Sequence, residues 1–133
     1  MTKGEREDLY ISRFMSELKR FALDYNISIH LVAHQVTPLK DDNGRYIKPD
    51  VNRIKGGGTF SDKADNVMFI WRPNRALDFS DTSVIFGSQK IKKQKLVGIP
   101  QEIHGIHFDV RTQRYMFNNY TPFTEIDEKR SKG

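Results

Sequence analysis

The chain has 133 residues, 37% of them hydrophobic and 29% charged, the composition of one small folded domain rather than a disordered segment. No apolar run approaches the roughly 20 residues a membrane helix needs, and the opening Met-Thr-Lys-Gly-Glu-Arg-Glu-Asp lacks the apolar stretch of a secretory signal. The absence of cysteine excludes disulfides and thiolate metal sites, and the net charge of +5 suits a nucleic-acid partner but also many ordinary proteins.

In chain order, Glu5 to Tyr25 reads as an amphipathic helix. Ile11, Phe14, Met15, Leu18, Phe21, Ala22 and Tyr25 recur at steps of three and four and share one stripe. Asn26 breaks the pattern. The nearly continuous apolar run 27–33 then predicts a strand buried on both faces of a parallel sheet. Gln35 to Gly58 is a long polar loop containing Pro38, Pro49 and three consecutive glycines, with Asn43-Gly44 able to turn a small hairpin inside it. Thr59 to Ala64 is expected to form one or two helical turns. Asn66 to Trp71 is a second buried strand, ending at Arg72-Pro73. Thr82 to Gly87 and Gln89 to Lys95 make a third strand region. Glu102 to Phe108 and Arg114 to Phe117 read as an antiparallel hairpin turning at 111–114. Residues 1–123 are expected to form one domain and 124–133 a frayed tail. The order suits the closing portion of an α/β sheet.

The basic charge is gathered on two segments. Val36 to Gly58 holds Lys40, Arg45, Lys48, Arg53 and Lys55 against three aspartates, and Ser88 to Gly98 holds four lysines and no acid. Lys93 and Lys95, two residues apart, would share one face of a strand; an edge strand blunted with lysines is the plainer alternative. His34 closes the first apolar run, where open α/β sheets place ligands, although a histidine merely satisfied at a strand end fits as well. Gly56-Gly57-Gly58 fails as a phosphate-binding loop, because no Gly-Lys-Ser/Thr occurs anywhere in the chain. The three glycines instead offer flexibility and close backbone approach, as a hinge or as a binding loop. His104 and His107 fall on opposite faces of a strand. His107 and Asp109 share a face, but two ligands without a third do not make a metal site, and none is expected.

Three stretches together resemble the Twinkle/DnaB-type hexameric replicative DNA helicases and the related phage primase-helicases. The first is Tyr10-Ile-Ser-Arg-Phe-Met15 with Ile29-His-Leu-Val-Ala-His34. The second and most specific runs from Ile54-Lys-Gly-Gly-Gly-Thr-Phe-Ser-Asp-Lys-Ala-Asp-Asn through Val-Met-Phe-Ile-Trp-Arg72. The third is Gln89-Lys-Ile-Lys-Lys-Gln-Lys95, closing with Gly105-Ile-His-Phe-Asp109 and Arg114-Tyr115. The resemblance covers about residues 8–117. It implies the C-terminal half of a RecA-like (P-loop NTPase) motor domain: a partial sheet with an N-terminal helix, buried parallel strands and a C-terminal antiparallel hairpin.

The same resemblance implies roles. His34 matches the sensor of the nucleotide γ-phosphate. Lys93 and Lys95 match a pair reaching a neighbouring subunit's γ-phosphate, with lysine at 95 where the family normally has arginine. Arg72 and Phe108 match positions near the nucleotide base. Lys40, Arg45, Lys48, Arg53, Lys55 and Gly56, Gly57 and Gly58 match the loop that grips single-stranded DNA, in agreement with the charge pattern. ATP and Mg2+ are expected in the whole motor but not on this segment alone, since Walker A and Walker B would precede residue 1. The implied partners are single-stranded DNA and further copies in a hexameric ring, with no membrane. The implied location is a bacterial or phage-infected cytoplasm or an organellar matrix. The alternative is a non-enzymatic single-strand-binding or regulatory module that keeps half of a RecA-like fold.

Overall fold

Glu7 and Asp8 open the first helix, their charges set against the positive end of its dipole. A computed structural model describes residues 6–35, 37, 39–121, 123 and 129–132. In chain order its elements are α1 (Glu7–Tyr25), a 3-10 turn (Val51–Arg53), α2 (Gly57–Lys63), β1 (Asn66–Trp71), a second 3-10 turn (Pro73–Ala76), β2 (Ser83–Ile91), α3 (Gln94–Val97), β3 (Glu102–Asp109) and β4 (Arg114–Phe117). The architecture is mixed α/β around a four-stranded antiparallel sheet of order β1-β2-β3-β4. Among the described residues no helix is long and apolar enough to cross a membrane.

Three expected features give way. The run 27–33 forms no strand: Ile27, Ile29, Leu31 and Val32 are all exposed, and Val32 keeps 79% of its surface. Apolar side chains can favour burial, but a strand also needs a neighbour's amides and carbonyls, and no described strand pairs with this segment. The expected parallel pairing is likewise replaced by antiparallel pairing. Hydropathy does not encode strand direction, and connections as short as those here suit hairpins. β1 itself is not buried on both faces, since Phe69 is buried while Met68 and Ile70 on either side are exposed.

Several local expectations hold. α1 stops at Asn26, which takes the left-handed conformation (φ 51°, ψ 50°), and Ile27 N–H closes the helix end on the Ala22 carbonyl at 3.0 Å. Asparagine tolerates that conformation better than other non-glycine residues. β1 has the predicted bounds, and β3 and β4 pair antiparallel from Ile106↔Phe117 to Asp109↔Arg114. Asp109 secures their turn by accepting hydrogen bonds from Arg111 N and Thr112 Oγ1. β2 is the third strand expected over 82–95, but it ends at Ile91 instead of running on to Lys95. Its pairing with β3 slips between Val84↔Ile106 and Phe86↔Ile103, so β3 carries one extra residue, with Gly105 at φ 82°. That bulge resets the alternation. Glu102 and His107, opposite Gly87 and Ser83, share a face, and His104 hydrogen-bonds Glu102 from the same side, so the two histidines do not face apart. Of the tail expected to fray, 124–128 and 133 lie outside the described residues, whereas 129–131 are helical.

The chain divides into two compact units. The first takes the described residues of 1–38, 49–69 and 88–101, and its buried hydrophobic side chains are Ile11 and Phe69. The second takes those of 39–48, 70–87 and 102–133, with Val84 and Thr121 buried.

Candidate functional site

In the second unit, residues 39–47 form the hairpin that Asn43-Gly44 predicted. Lys40 and Tyr46 form an antiparallel bridge, and Ile47 N–H donates to the Leu39 carbonyl at 2.9 Å. The Asp41 carboxylate accepts from the backbone N–H groups of Asn43 and Arg45, both at 2.9 Å, and Gly44 takes φ 78° at the tip. Tyr46 anchors the hairpin: its N–H donates to Pro73 O and its carbonyl accepts from Trp71 Nε1 at 2.9 Å. Lys40 and Arg45 are exposed on this frame, and Lys40 Nζ stands 5.7 Å from the centre of the Tyr46 ring. Neither forms an ion pair among the described residues. Lys48 differs, being paired with Glu102. That hydrogen bond, with a further one from His104, holds the Glu102 carboxyl below its ordinary value.

In the first unit the 3-10 turn Val51–Arg53 carries the remaining basic residues. Asp50 caps it, accepting from Asn52 N–H at 2.9 Å. Lys55 lies 3.5 Å from Glu7 in an exposed pair, and Arg53 has Nη1 buried with no hydrogen-bond partner among the described residues. The three glycines that follow are not equivalent. A side chain on Gly57 would place Cβ 2.0 Å from the Val51 carbonyl oxygen, and one on Gly56 would meet Ile11 Cδ1 at 2.2 Å. Gly58 faces open space. Close approach is the right expectation for Gly56 and Gly57, but what approaches them is the chain's own turn and helix.

His34 is exposed on the segment that follows α1 outside any helix or strand, not at a strand end. β2 stops at Ile91, so Lys93 precedes α3 and Lys95 lies inside it. Two residues apart near a helix, they do not share a strand face as expected, because each helical step turns the side chain by about 100°. Arg72 has Nε buried without a hydrogen-bond partner among the described residues, and the Phe108 ring lies against Tyr115, centres 5.2 Å apart.

The lysines that the strand end does position are ones whose partners lie far away in sequence. Lys90 Nζ donates to the Ser61 carbonyl at 2.7 Å, capping the last turn of α2. Lys19 and Lys92 both reach Asp65 Oδ1, at 2.9 and 3.3 Å, beside a cavity that Met15 and Lys63 also line. The hydrogen bond from Lys19, reinforced by Lys92, keeps the Asp65 carboxyl below its ordinary value. A carboxyl depressed in the folded state stabilises above its unfolded pKa, near 3.9, and that contribution is lost as pH falls through the folded value. The urea midpoint is therefore expected to fall on acidification from about pH 5 to pH 3, and less steeply in D65N. Identical pH dependence in D65N and the parent would mean that the lysine clamp contributes nothing.

Comparison with known proteins gives no family. No family model matches the chain, and no curated protein matches it in sequence.

Proposed function

We propose that this chain is the DNA-contacting part of an ATP-dependent hexameric replicative helicase, and that it contacts the phosphate backbone of single-stranded DNA. The observation that carries the proposal is the 39–47 hairpin: a hydrogen-bonded frame presenting Lys40 and Arg45 to solvent with no carboxylate paired to either among the described residues. Cations held this way can neutralise phosphates without first breaking an internal ion pair, and the bound strand gains the entropy of the counterions it releases. Tyr46 under Lys40 adds an aromatic surface on which a base can stack. Arg53 and Lys55 supply two further cations, with Lys55 held only by an exposed pair that salt and phosphate readily displace.

For the nucleotide side we assign His34, Lys93 and Lys95 to the γ-phosphate and Arg72 and Phe108 to the base, on the resemblance alone. The sequence has no Gly-Lys-Ser/Thr loop to cradle a triphosphate, so no hydrolytic step is assigned to this chain. In the assembled ring, ATP and Mg2+ would be held chiefly by other segments. The test is photocrosslinking to an oligothymidylate carrying photoreactive bases, followed by peptide mapping. Crosslinks are expected within 39–55. Crosslinks confined to other segments, or none at all, would overturn the assignment.

A further inference from the structure

We infer that Gln89 is a positioning residue for the proposed DNA contact: its side-chain amide fixes the turn that carries Arg53 and Lys55, and thereby sets how many phosphates the chain holds. The inference rests on the DNA-contacting role proposed above. Gln89 sits near the end of β2 and reaches 38 residues back in sequence to the start of the 3-10 turn. Its Oε1 accepts the Val51 N–H at 3.0 Å, and its Nε2 donates to Asp50 Oδ1 at 2.9 Å. A carboxamide offers a donor and an acceptor side by side, which neither a carboxylate nor an ammonium does. The same Asp50 oxygen accepts from the backbone N–H and the side-chain Nδ2 of Asn52, so three donors converge on it.

The turn is held from another direction too. The Val51 carbonyl lies so close to Gly57 that no side chain fits there. Val51 is thus pinned at its N–H by Gln89 and at its carbonyl by the close packing of Gly57. Arg53 lies two residues beyond Val51 and Lys55 four residues beyond, so their starting points are set by this clamp. Releasing it would let the turn sample more conformations, and the order would then have to be restored at the moment of binding. Nothing local in the sequence marks Gln89 for this role.

The experiment measures oligothymidylate affinity against salt for the full chain and for Q89A, Q89E, Q89E/D50N, R53A/K55A and the triple variant Q89A/R53A/K55A. Q89A is expected to weaken binding by about three- to tenfold, the range of one or two net hydrogen bonds. It should also shrink the slope of log K against log salt by roughly 0.7 for each phosphate that the chain no longer neutralises. In the R53A/K55A background Q89A should have no further effect, because the groups it positions are gone. Q89E sets two carboxylates against each other. Q89E/D50N restores one donor across the pair and should recover much of the affinity that Q89E loses. Losses in Q89A and R53A/K55A that simply add, or an unchanged salt slope in Q89A, would overturn the positioning role. Amide exchange gives a separate readout: Val51 and Asn52 should exchange faster in Q89A while α1 is unchanged. Unaltered exchange at both would sink the clamp even if the chain binds DNA. Faster exchange in a chain that binds no DNA would keep the clamp and overturn its link to DNA.

Discussion

Replacing Lys40, Arg45, Arg53 and Lys55 together with glutamine is expected to weaken binding of the chain to single-stranded DNA by roughly 100-fold or more at 0.1 M salt. Each phosphate neutralised on a single strand contributes about 0.7 to the dependence of log K on log salt, so four contacts amount to nearly three decades between 0.1 and 1 M. Lys48 is left in place, because its charge is already engaged by Glu102. The readout is fluorescence anisotropy of a labelled oligothymidylate across a salt series. Neutralising Lys93 and Lys95 instead should have a smaller effect, since neither stands on the hairpin or on the turn that carry the proposal. Should the Lys93 and Lys95 change do the greater damage, the basic loop is not the principal contact.

The second large effect is on stability. Gly57→Ala would drive a methyl group to 2.0 Å from the Val51 carbonyl oxygen and 2.9 Å from Asn52 Cα. Both are backbone atoms, so no rotamer change relieves the clash and the turn or α2 must move. Overpacking of this kind costs about 1–3 kcal/mol and occasionally more. In a chain whose buried hydrophobic side chains, among the described residues, are Ile11, Phe69 and Val84, a loss of that size is a large share of the whole. Gly58→Ala is the contrasting substitution. It lies inside α2, meets nothing within 4 Å, and gains up to about 1 kcal/mol of helix propensity. Urea unfolding of the two variants should therefore shift in opposite directions. Equal shifts would mean that close packing does not explain the glycine at 57.

What is legible in the sequence is what is decided locally. Asn26 ends α1 because one residue must turn left-handed there, and Asn43-Gly44 makes a hairpin because the tip needs a positive φ. The bounds of β1 and the β3–β4 turn follow from similar punctuation. Residues 27–33 mislead because their apolar character does not say whether a neighbouring strand exists to pair with them. Lys93 and Lys95 mislead because the end of β2 is marked only by the short α3 beyond it. The Gln89 clamp on Asp50 and Val51, the Lys90 cap on α2 and the Lys19–Asp65–Lys92 cluster are invisible at that level. Their partners lie between 27 and 46 residues apart, and no periodicity encodes such pairs.

In the proposed role the chain holds the backbone of a single strand through about four cations of its basic loop. That role is tested most directly by titrating the unaltered chain with oligothymidylate from about 50 to 300 mM salt, and with duplex of the same length in parallel. The expected result is preference for the single strand, with log K falling against log salt at a slope near −3, about 0.7 for each of four contacts. Binding that ignores salt, or that favours the duplex, would contradict it.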